Sequence, residues 1–345
     1  MNSTINILMT GGGAPGAAGI LRCLSMDPRF HLIAADANPN AVGRHLVKDF
    51  EVIPPASDPK FIDSLLAICR KWDVHAVMPL VTRELNHFAR HRTEFELAGV
   101  KVLVSPEESL EIANDKSKLY QFLEWRGMEL PKFKVVENVS QFEEAAKELG
   151  YPEKTICFKP SVSNGSRGFR IISNKVDRHH LLFNEKPNAT YMSYEEAVSI
   201  LSSKPFPELL VSEFLPGDEY SVDCLANHGE SLLVVPRVRR RMINGISVEG
   251  EFINDEEIIS YCRQMIKEVK LHGNIGIQLK TSESGKKLLL EINPRVQGTI
   301  CAGLGAGINF PVLAVKQELS LPISEEELTV NWGTKFARYW SEVFY

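Results

Sequence analysis

Residues 286–299 read KKLLLEINPRVQGT. Strand geometry, with its period of two, puts Leu289, Glu291 and Asn293 on one face and Leu288, Leu290 and Ile292 on the other, so one face turns polar towards its end. The run before it, NIGIQLKT at 274–281, reads as a second strand, joined through SESGKK, where Ser284-Gly285 suits a tight turn. With residues 283–286 as a four-residue loop, Gln278 stands opposite Glu291, and three oxygen donors converge: Gln278, Glu291 and Asn293. Magnesium takes hard oxygen ligands, usually one or two carboxylates completed by substrate phosphates and water, which suits this set. From these two strands alone, a hairpin with polar residues on its solvent face is the simpler reading, so the rest of the chain has to decide.

The 345 residues are 44% hydrophobic and 24% charged, ordinary for a globular protein of two or three domains. A net charge of −5 and a pI near 6.0 leave no global positive field to hold nucleic acid or an anionic membrane surface. The six cysteines are scattered with no C-x-x-C pair, which argues against a zinc site or a disulfide framework and fits reduced thiols in cytosol. No secretion signal opens the chain, and no apolar run approaches the ~20 residues that cross a bilayer, so a cytoplasmic protein is expected.

Outward from the opening stretch, the N-terminal part alternates strand and helix. INILMT (5–10) leads into a glycine-rich turn and a helix; HLIAADA (31–37), a helix over 59–72 and HAVMPL (75–80) follow, then KVLV (101–104). This alternation predicts a parallel α/β domain over 1–112, left through a helix capped by Ser105-Pro-Glu-Glu108. NDKSKLYQFLEWRG is a helix closed by Gly127, and Ser140-Gln-Phe-Glu143 caps another that ends at Gly150. Strands TICFKP and FRIIS flank the loop SVSNGSRG, and 174–208 has the composition of an excursion. Segments 113–208 and 209–345 are therefore expected as two further domains, the last rich in strands.

Several residue groups carry chemistry. Lys116 opens a helix, and Lys159 precedes a loop in which Gly165, Ser166 and Gly168 let backbone amides approach a phosphate. Alternation in EYSVDCL sends Glu219, Ser221 and Asp223 to one face, and in VVPRVRRRM it puts Arg237, Arg239 and Arg241 on one face. Guanidinium forks suit carboxylates and phosphates, although an edge strand protected by charge is an equal reading for any one arginine.

EINPRVQGT resembles the signature of ATP-grasp enzymes, and the other elements occur in that family's order across 113–300. The resemblance is closest to the carbamoyl-phosphate-synthase-like branch, where Gln stands at the first metal position. It implies an α/β fold: a Rossmann-like preATP-grasp domain followed by an ATP-grasp fold of two α+β subdomains. It implies ATP and Mg2+ (or Mn2+), the metal on Glu291, Asn293 and the weaker ligand Gln278. Lys116 and Lys159 would meet phosphates, Glu213 and the backbone of Phe214 and Leu215 the adenine, and Glu219 the ribose. Arg295, with Lys159 and Arg239, would act on the transferring phosphoryl group or the substrate carboxylate, and Arg237 and Arg241 would lie nearby. The loop 161–168 would close as a lid. The implied reaction joins a small-molecule carboxylate to an amine through an acyl phosphate, releasing ADP and phosphate. A homodimer is the default expectation. Only about 25 residues follow position 320, fewer than the extra C-terminal domain of biotin carboxylase needs, and a full carbamoyl-phosphate synthase large chain carries two such units.

The N-terminal domain supports a rival. Gly11-x-Gly13-x-x-Gly16 follows a strand and opens a helix, with Asp36 about 20 residues on, which satisfies the dinucleotide fingerprint and predicts an NAD-linked oxidoreductase or epimerase. No Tyr-x-x-x-Lys pair accompanies it. DANPNAVGRHLVKDF and MPLVTREL resemble instead the first domain of ATP-grasp enzymes, so Gly11, Gly13, Gly16, Asp36, Thr82 and Glu84 are assigned to the acceptor-substrate side, a purely structural turn being the alternative. A non-catalytic ATP-binding regulatory protein is the third reading.

Overall fold

The computed structural model describes residues 4–163, 165, 167–184, 190–243 and 245–345. The chain divides into two compact units, Met1–Asn114 with Glu219–Gln278 and Glu291–Tyr345, and Asp115–Asp218 with Leu279–Leu290.

The first unit begins with β1 (Ile5–Thr10), α1 (Ala17–Leu24), β2 (Phe30–Asp36), β3 (Asp49–Val52), α2 (Phe61–Lys71), β4 (Val74–Pro79), α3 (Thr82–Arg90), α4 (Arg92–Leu97), β5 (Lys101–Val102) and α5 (Glu107–Ala113). The strands form a parallel sheet in the order β3-β2-β1-β4-β5. Its faces are covered on both sides, as parallel sheets require. Leu8, Ile33 and Val77 pack with Leu65, Leu85 and Phe88 on one face, and Ile7, Met9, Ala34 and Met78 with Ile20, Leu21 and Leu313 on the other. Burial of each such side chain is worth about 1.5–3 kcal/mol. That is why INILMT reads as an almost unbroken apolar run.

The second unit runs through α6 (Lys116–Trp125), β6 (Phe133–Val136), α7 (Val139–Glu148), β7 (Ile156–Pro160), β8 (Arg170–Ile172), α8 (Arg178–Asn184), β9 (Tyr191–Met192), α9 (Tyr194–Ser203) and β10 (Leu209–Glu213). Its sheet has the order β6-β10-β7-β8-β9, with β10 antiparallel to both β6 and β7. Thus Leu209–Glu213, placed by the sequence in the last domain, pairs inside this sheet between β6 and β7. The expected excursion also contributes: β9 pairs with β8, and Ala197 of α9 lies in the core with Phe142 and Phe158.

A third sheet contains β11 (Glu219–Asn227), β12 (Glu230–Ile243), β13 (Ile246–Phe252), β14 (Gly273–Thr281), β15 (Lys287–Asn293) and β16 (Lys335–Ala337), in the order β15-β14-β11-β12-β13-β16. Helices α10 (Glu256–Val269) and α11 (Phe310–Glu318) belong to the same unit as β11 to β13. The unit boundary cuts through β14 and β15, after Gln278 and before Glu291.

Three local expectations change. Helix α7 is capped by Asn138, whose side chain accepts from the Gln141 N–H at 3.0 Å while Gln141 accepts from the Glu137 N–H; Ser140 lies inside the first turn. Ser105 caps nothing, because its hydroxyl donates to the His272 carbonyl at 3.0 Å and accepts from the His272 N–H. The β14–β15 hairpin closes one residue early: the Ser282 N–H donates to the Lys286 carbonyl at 2.8 Å, with Gly285 at φ +85°. A glycine in the left-handed region favours that three-residue loop, so the four-residue loop that put Gln278 opposite Glu291 is not formed. Among the described residues, no single helix is long and apolar enough to cross a membrane.

Candidate active site

In the first unit β15 delivers Glu291 and Asn293 side by side, the Asn293 Nδ2 donating to Glu291 Oε1 at 3.0 Å. Pro294 ends the strand and the Arg295 N–H turns back to the Asn293 carbonyl at 2.8 Å. The Arg295 guanidinium then donates through Nε to Thr82 Oγ1 at 3.0 Å and through Nη1 to the Val296 carbonyl at 2.9 Å. Burial pushes its pKa down while the charge of Glu291 holds it up. Arg239 of β12 donates to the Glu219 carboxylate and to the Gly245 carbonyl. Its pKa is likewise lowered by burial, with Glu219 and Glu291 opposing and Arg237 assisting. Glu291 therefore lies in the field of two largely desolvated arginines, and Arg239 Nε is buried with no hydrogen-bond partner among the described residues. Such a cluster is built to receive anionic oxygens.

Among the described residues no group of three or more His, Cys, Asp or Glu side chains is placed to hold a metal ion. Glu291 with the amide oxygen of Asn293 supplies a single carboxylate, and the three-residue hairpin loop no longer sets Gln278 opposite Glu291. That set fits magnesium only where phosphate oxygens and water complete its shell, the usual arrangement for an ion carried by a nucleotide.

The expected arginine face is broken up. Arg237 is wholly buried, donating through Nε to Asp223 Oδ2 at 2.8 Å and through Nη2 to Thr299 Oγ1 at 2.5 Å. Gln297 Nε2 reaches the other Asp223 oxygen at 3.3 Å and lies over Gly276, where a Cβ would come within 1.9 Å of it. Arg237 thus stitches the RVQGT segment to β11 and has no solvent face to offer a substrate. Arg241 leaves the face altogether: register shifts on either side of it interrupt the alternation, and its half-exposed side chain pairs with Glu249 at 2.7 Å.

At the end of the parallel sheet the order reverses between β1 and β4, and the crevice beyond the strand ends is where open α/β sheets bind ligands. Thr10, the last residue of β1, donates to Glu84 Oε2 at 2.5 Å, and Glu84 and Thr82 share the first turn of α3. Burial lifts the Glu84 carboxyl to about 7, with the Thr10 hydroxyl opposing and Asp36 adding to the rise. The structure therefore brings Thr82 to Arg295, while Glu84, in the same helical turn, is bonded to Thr10. The glycine fingerprint is engaged otherwise. Asp36 accepts from the Gly13 N–H at 2.7 Å and the Asn38 N–H at 2.8 Å, and Gly11 lies against Val81. A Cβ on Gly16 would stand 2.3 Å from the Gly298 Cα. The start of α1, where a dinucleotide pyrophosphate would sit, is covered by the VQGT backbone, and Asp36 is committed to the turn.

In the second unit Asp115 caps α6, so Lys116 starts the helix with its N–H on the Ser161 carbonyl and its Nζ 2.7 Å from the Ser163 carbonyl. Lys159 Nζ donates to the Leu290 carbonyl at 2.6 Å and stands 5.6 Å from the Tyr120 ring centroid. Lys116 thus attends the start of the loop 161–168, and Lys159 stands on β7 just before it. Gly168 packs against Pro160, where a Cβ would come within 2.6 Å; Ser166 lies outside the described residues. Glu213 ends β10 and accepts from the Lys132 N–H at 2.8 Å, and Leu215 is buried.

The Asp223–Arg237–Gln297–Thr299 network was not foreseen. Its one visible signal was Gln297 and Thr299 lying within the quoted motif.

Two family models match the chain. One, described as PylC-like, N-terminal domain, covers residues 7–103; the other, described as ATP-grasp in the biosynthetic pathway with Ter operon, covers 205–337. The carbamoyl phosphate synthase large chain of Pseudothermotoga lettingae is 23% identical over 321 residues, which is 84% of this chain and 27% of that protein. That of Clostridium acetobutylicum is 24% identical over 213 residues, 59% of this chain and 18% of that protein. The chain spans about a quarter or less of the length of these curated relatives. The ADP complex of an N5-carboxyaminoimidazole ribonucleotide synthetase superposes with a TM-score of 0.71 at 15% identity, covering 96% of this chain and 80% of that one, a likeness of fold. Fold and matches together define an ATP-grasp protein. Within that superfamily its sequence is similar, at 23–24% identity, to carbamoyl phosphate synthase large chains. The glycine-fingerprint region falls within the PylC-like match, and nothing in these relatives supports the NAD-linked alternative.

Proposed function

We propose that the chain is an ATP-dependent ligase that converts a carboxylate to an acyl phosphate and passes the acyl group to an amine, releasing ADP and phosphate. The observation that carries this reading is the placement of Arg239 and Arg295 around Glu291, in a unit whose Thr82 bonds to Arg295. Phosphoryl transfer asks a protein for little covalent chemistry and much positioned charge. Lys116 and Lys159 hold the ATP phosphates, with the amides of the loop around Gly165 and Gly168. Glu213 and the backbone of Phe214 and Leu215 take the adenine, and Glu219 the ribose hydroxyls. Glu291 and Asn293 would hold Mg2+ or Mn2+, which supplies neutralisation of phosphate charge. Arg295 and Arg239 orient the carboxylate and bind its phosphorylated form. The acceptor lies towards Thr82 and Glu84, and closure of the 161–168 loop excludes the water that would hydrolyse the acyl phosphate. We place the enzyme in the cytoplasm, working on small molecules, as a homodimer.

The test is an ADP-release screen over paired amino acids and small acids, with hydroxylamine present to trap acyl phosphate as hydroxamate. In Glu291→Ala, turnover should fall by about 10²–10³, the scale of losing one charge-stabilising group. A variant running at wild-type rate with unaltered magnesium dependence would remove the assignment.

A further inference from the structure

Lys280 belongs to none of the groups above. It lies two residues beyond Gln278 on β14, on the same strand face by alternation, and is half-buried. Its Nζ stands 4.8 Å from the centroid of the Phe214 ring. Main-chain bonds hold the two together: the Gly217 N–H donates to the Thr281 carbonyl at 2.9 Å, and the Thr281 N–H to the Asp218 carbonyl at 2.9 Å. Phe214 itself is pinned by its N–H on the Thr155 carbonyl. Main-chain bonds therefore fix the backbone on both sides of the contact.

No carboxylate pairs with Lys280 among the described residues. Glu213, next to Phe214, directs an oxygen to the Lys132 N–H instead. The buried Cys157 thiol on β7 has its pKa raised by desolvation, while the Ser212 hydroxyl and both Lys159 and Lys280 pull against it, so two cations reach the end of β10. They have different surroundings. Lys159 borders the glycine loop, whereas Lys280 sits on the aromatic ring of the segment assigned to the adenine. A half-buried ammonium whose neighbour is a ring face still has N–H donors to direct at an acceptor.

We propose that Lys280 is a base-recognising residue of the nucleotide site, its ammonium, held over Phe214, donating to a ring nitrogen of the purine. This rests on the ATP-binding reading above.

Titration calorimetry on the full chain, with magnesium, separates a base contact from a phosphate contact by using two ligands, ATP and inorganic tripolyphosphate. For Lys280→Met, ATP affinity should fall about tenfold, the equivalent of about 1.4 kcal/mol and the size of one charge-assisted hydrogen bond. Tripolyphosphate affinity should stay within about twofold. Lys159→Met should weaken both ligands together. Unchanged ATP affinity in Lys280→Met, or an equal loss for both ligands, overturns the proposal while leaving ATP binding intact. A wild-type chain that binds neither ligand overturns the ATP reading and this inference with it. Lys280→Arg, which keeps a cation over the ring, should retain most of the affinity. Thermal melts of both variants distinguish a lost contact from a lost fold.

Discussion

Two glycine-rich turns follow strands in this molecule, and among the described residues only the second leaves a glycine, Gly165, in nearly open space. The turn at Gly11–Gly16 is packed shut, with Gly16 against Gly298 and the Gly13 amide consumed by Asp36. The loop at 161–168 has Gly165 at φ +65°, where an added Cβ would meet only an Arg167 nitrogen at 3.7 Å. In the first, glycine makes room for another stretch of backbone; at Gly165 it leaves the space that the proposed phosphate contact asks for. A glycine pattern alone cannot tell these apart, because close approach of protein and close approach of phosphate ask for the same missing side chain.

The largest expected effect lies at the open loop. Lys159→Met should cut ATP turnover by about 10²–10³ with little change in melting temperature, measured by ADP release; a variant turning over normally would break the contrast at once. At the closed turn the outcome reverses. Gly16→Ala should destabilise the fold by about 3 kcal/mol or more, because backbone rather than a flexible side chain stands in the way, and chemical denaturation would show it.

Glu84, bonded to the residue just before the closed turn, sharpens the picture through pH. Its folded pKa of about 7 lies above its ordinary 4.5, so its contribution to stability is whole below pH 4.5 and is lost as the pH rises through 7. Glu84→Gln should therefore be more stable than wild type above pH 7, by up to about 3 kcal/mol, with the gain vanishing near pH 4.5. A gain independent of pH would show that the carboxyl is ordinarily hydrated. The smallest effect is expected at Gly165→Ala, about 1 kcal/mol from the positive φ alone, read from the same denaturation curves.

Local signals carried much of the fold. The apolar runs of β1 and β4, punctuated by glycine and proline, announced a parallel α/β sheet, and the order of lysine, glycine loop and EINPR pointed to the ATP-grasp fold. What escaped depended on residues far apart in sequence. Ser105 looks like a cap until His272, 167 residues away, takes its hydroxyl. The bulges beside Arg241 and the burial of Arg237 by Asp223 and Thr299 follow from the partner strand and from a distant segment, neither of which period-two counting contains. The hairpin register turned on one backbone angle at Gly285.

The tethering of the two loop lysines has a thermodynamic side. Lys116 and Lys159 each hold a main-chain carbonyl, at 2.7 and 2.6 Å, so their long stems are ordered when the chain folds. A free lysine gives up as much as ~2 kcal/mol of rotamer entropy on being fixed. Here that loss falls on folding stability rather than on affinity, and an incoming anion meets ammoniums whose freedom has already been spent.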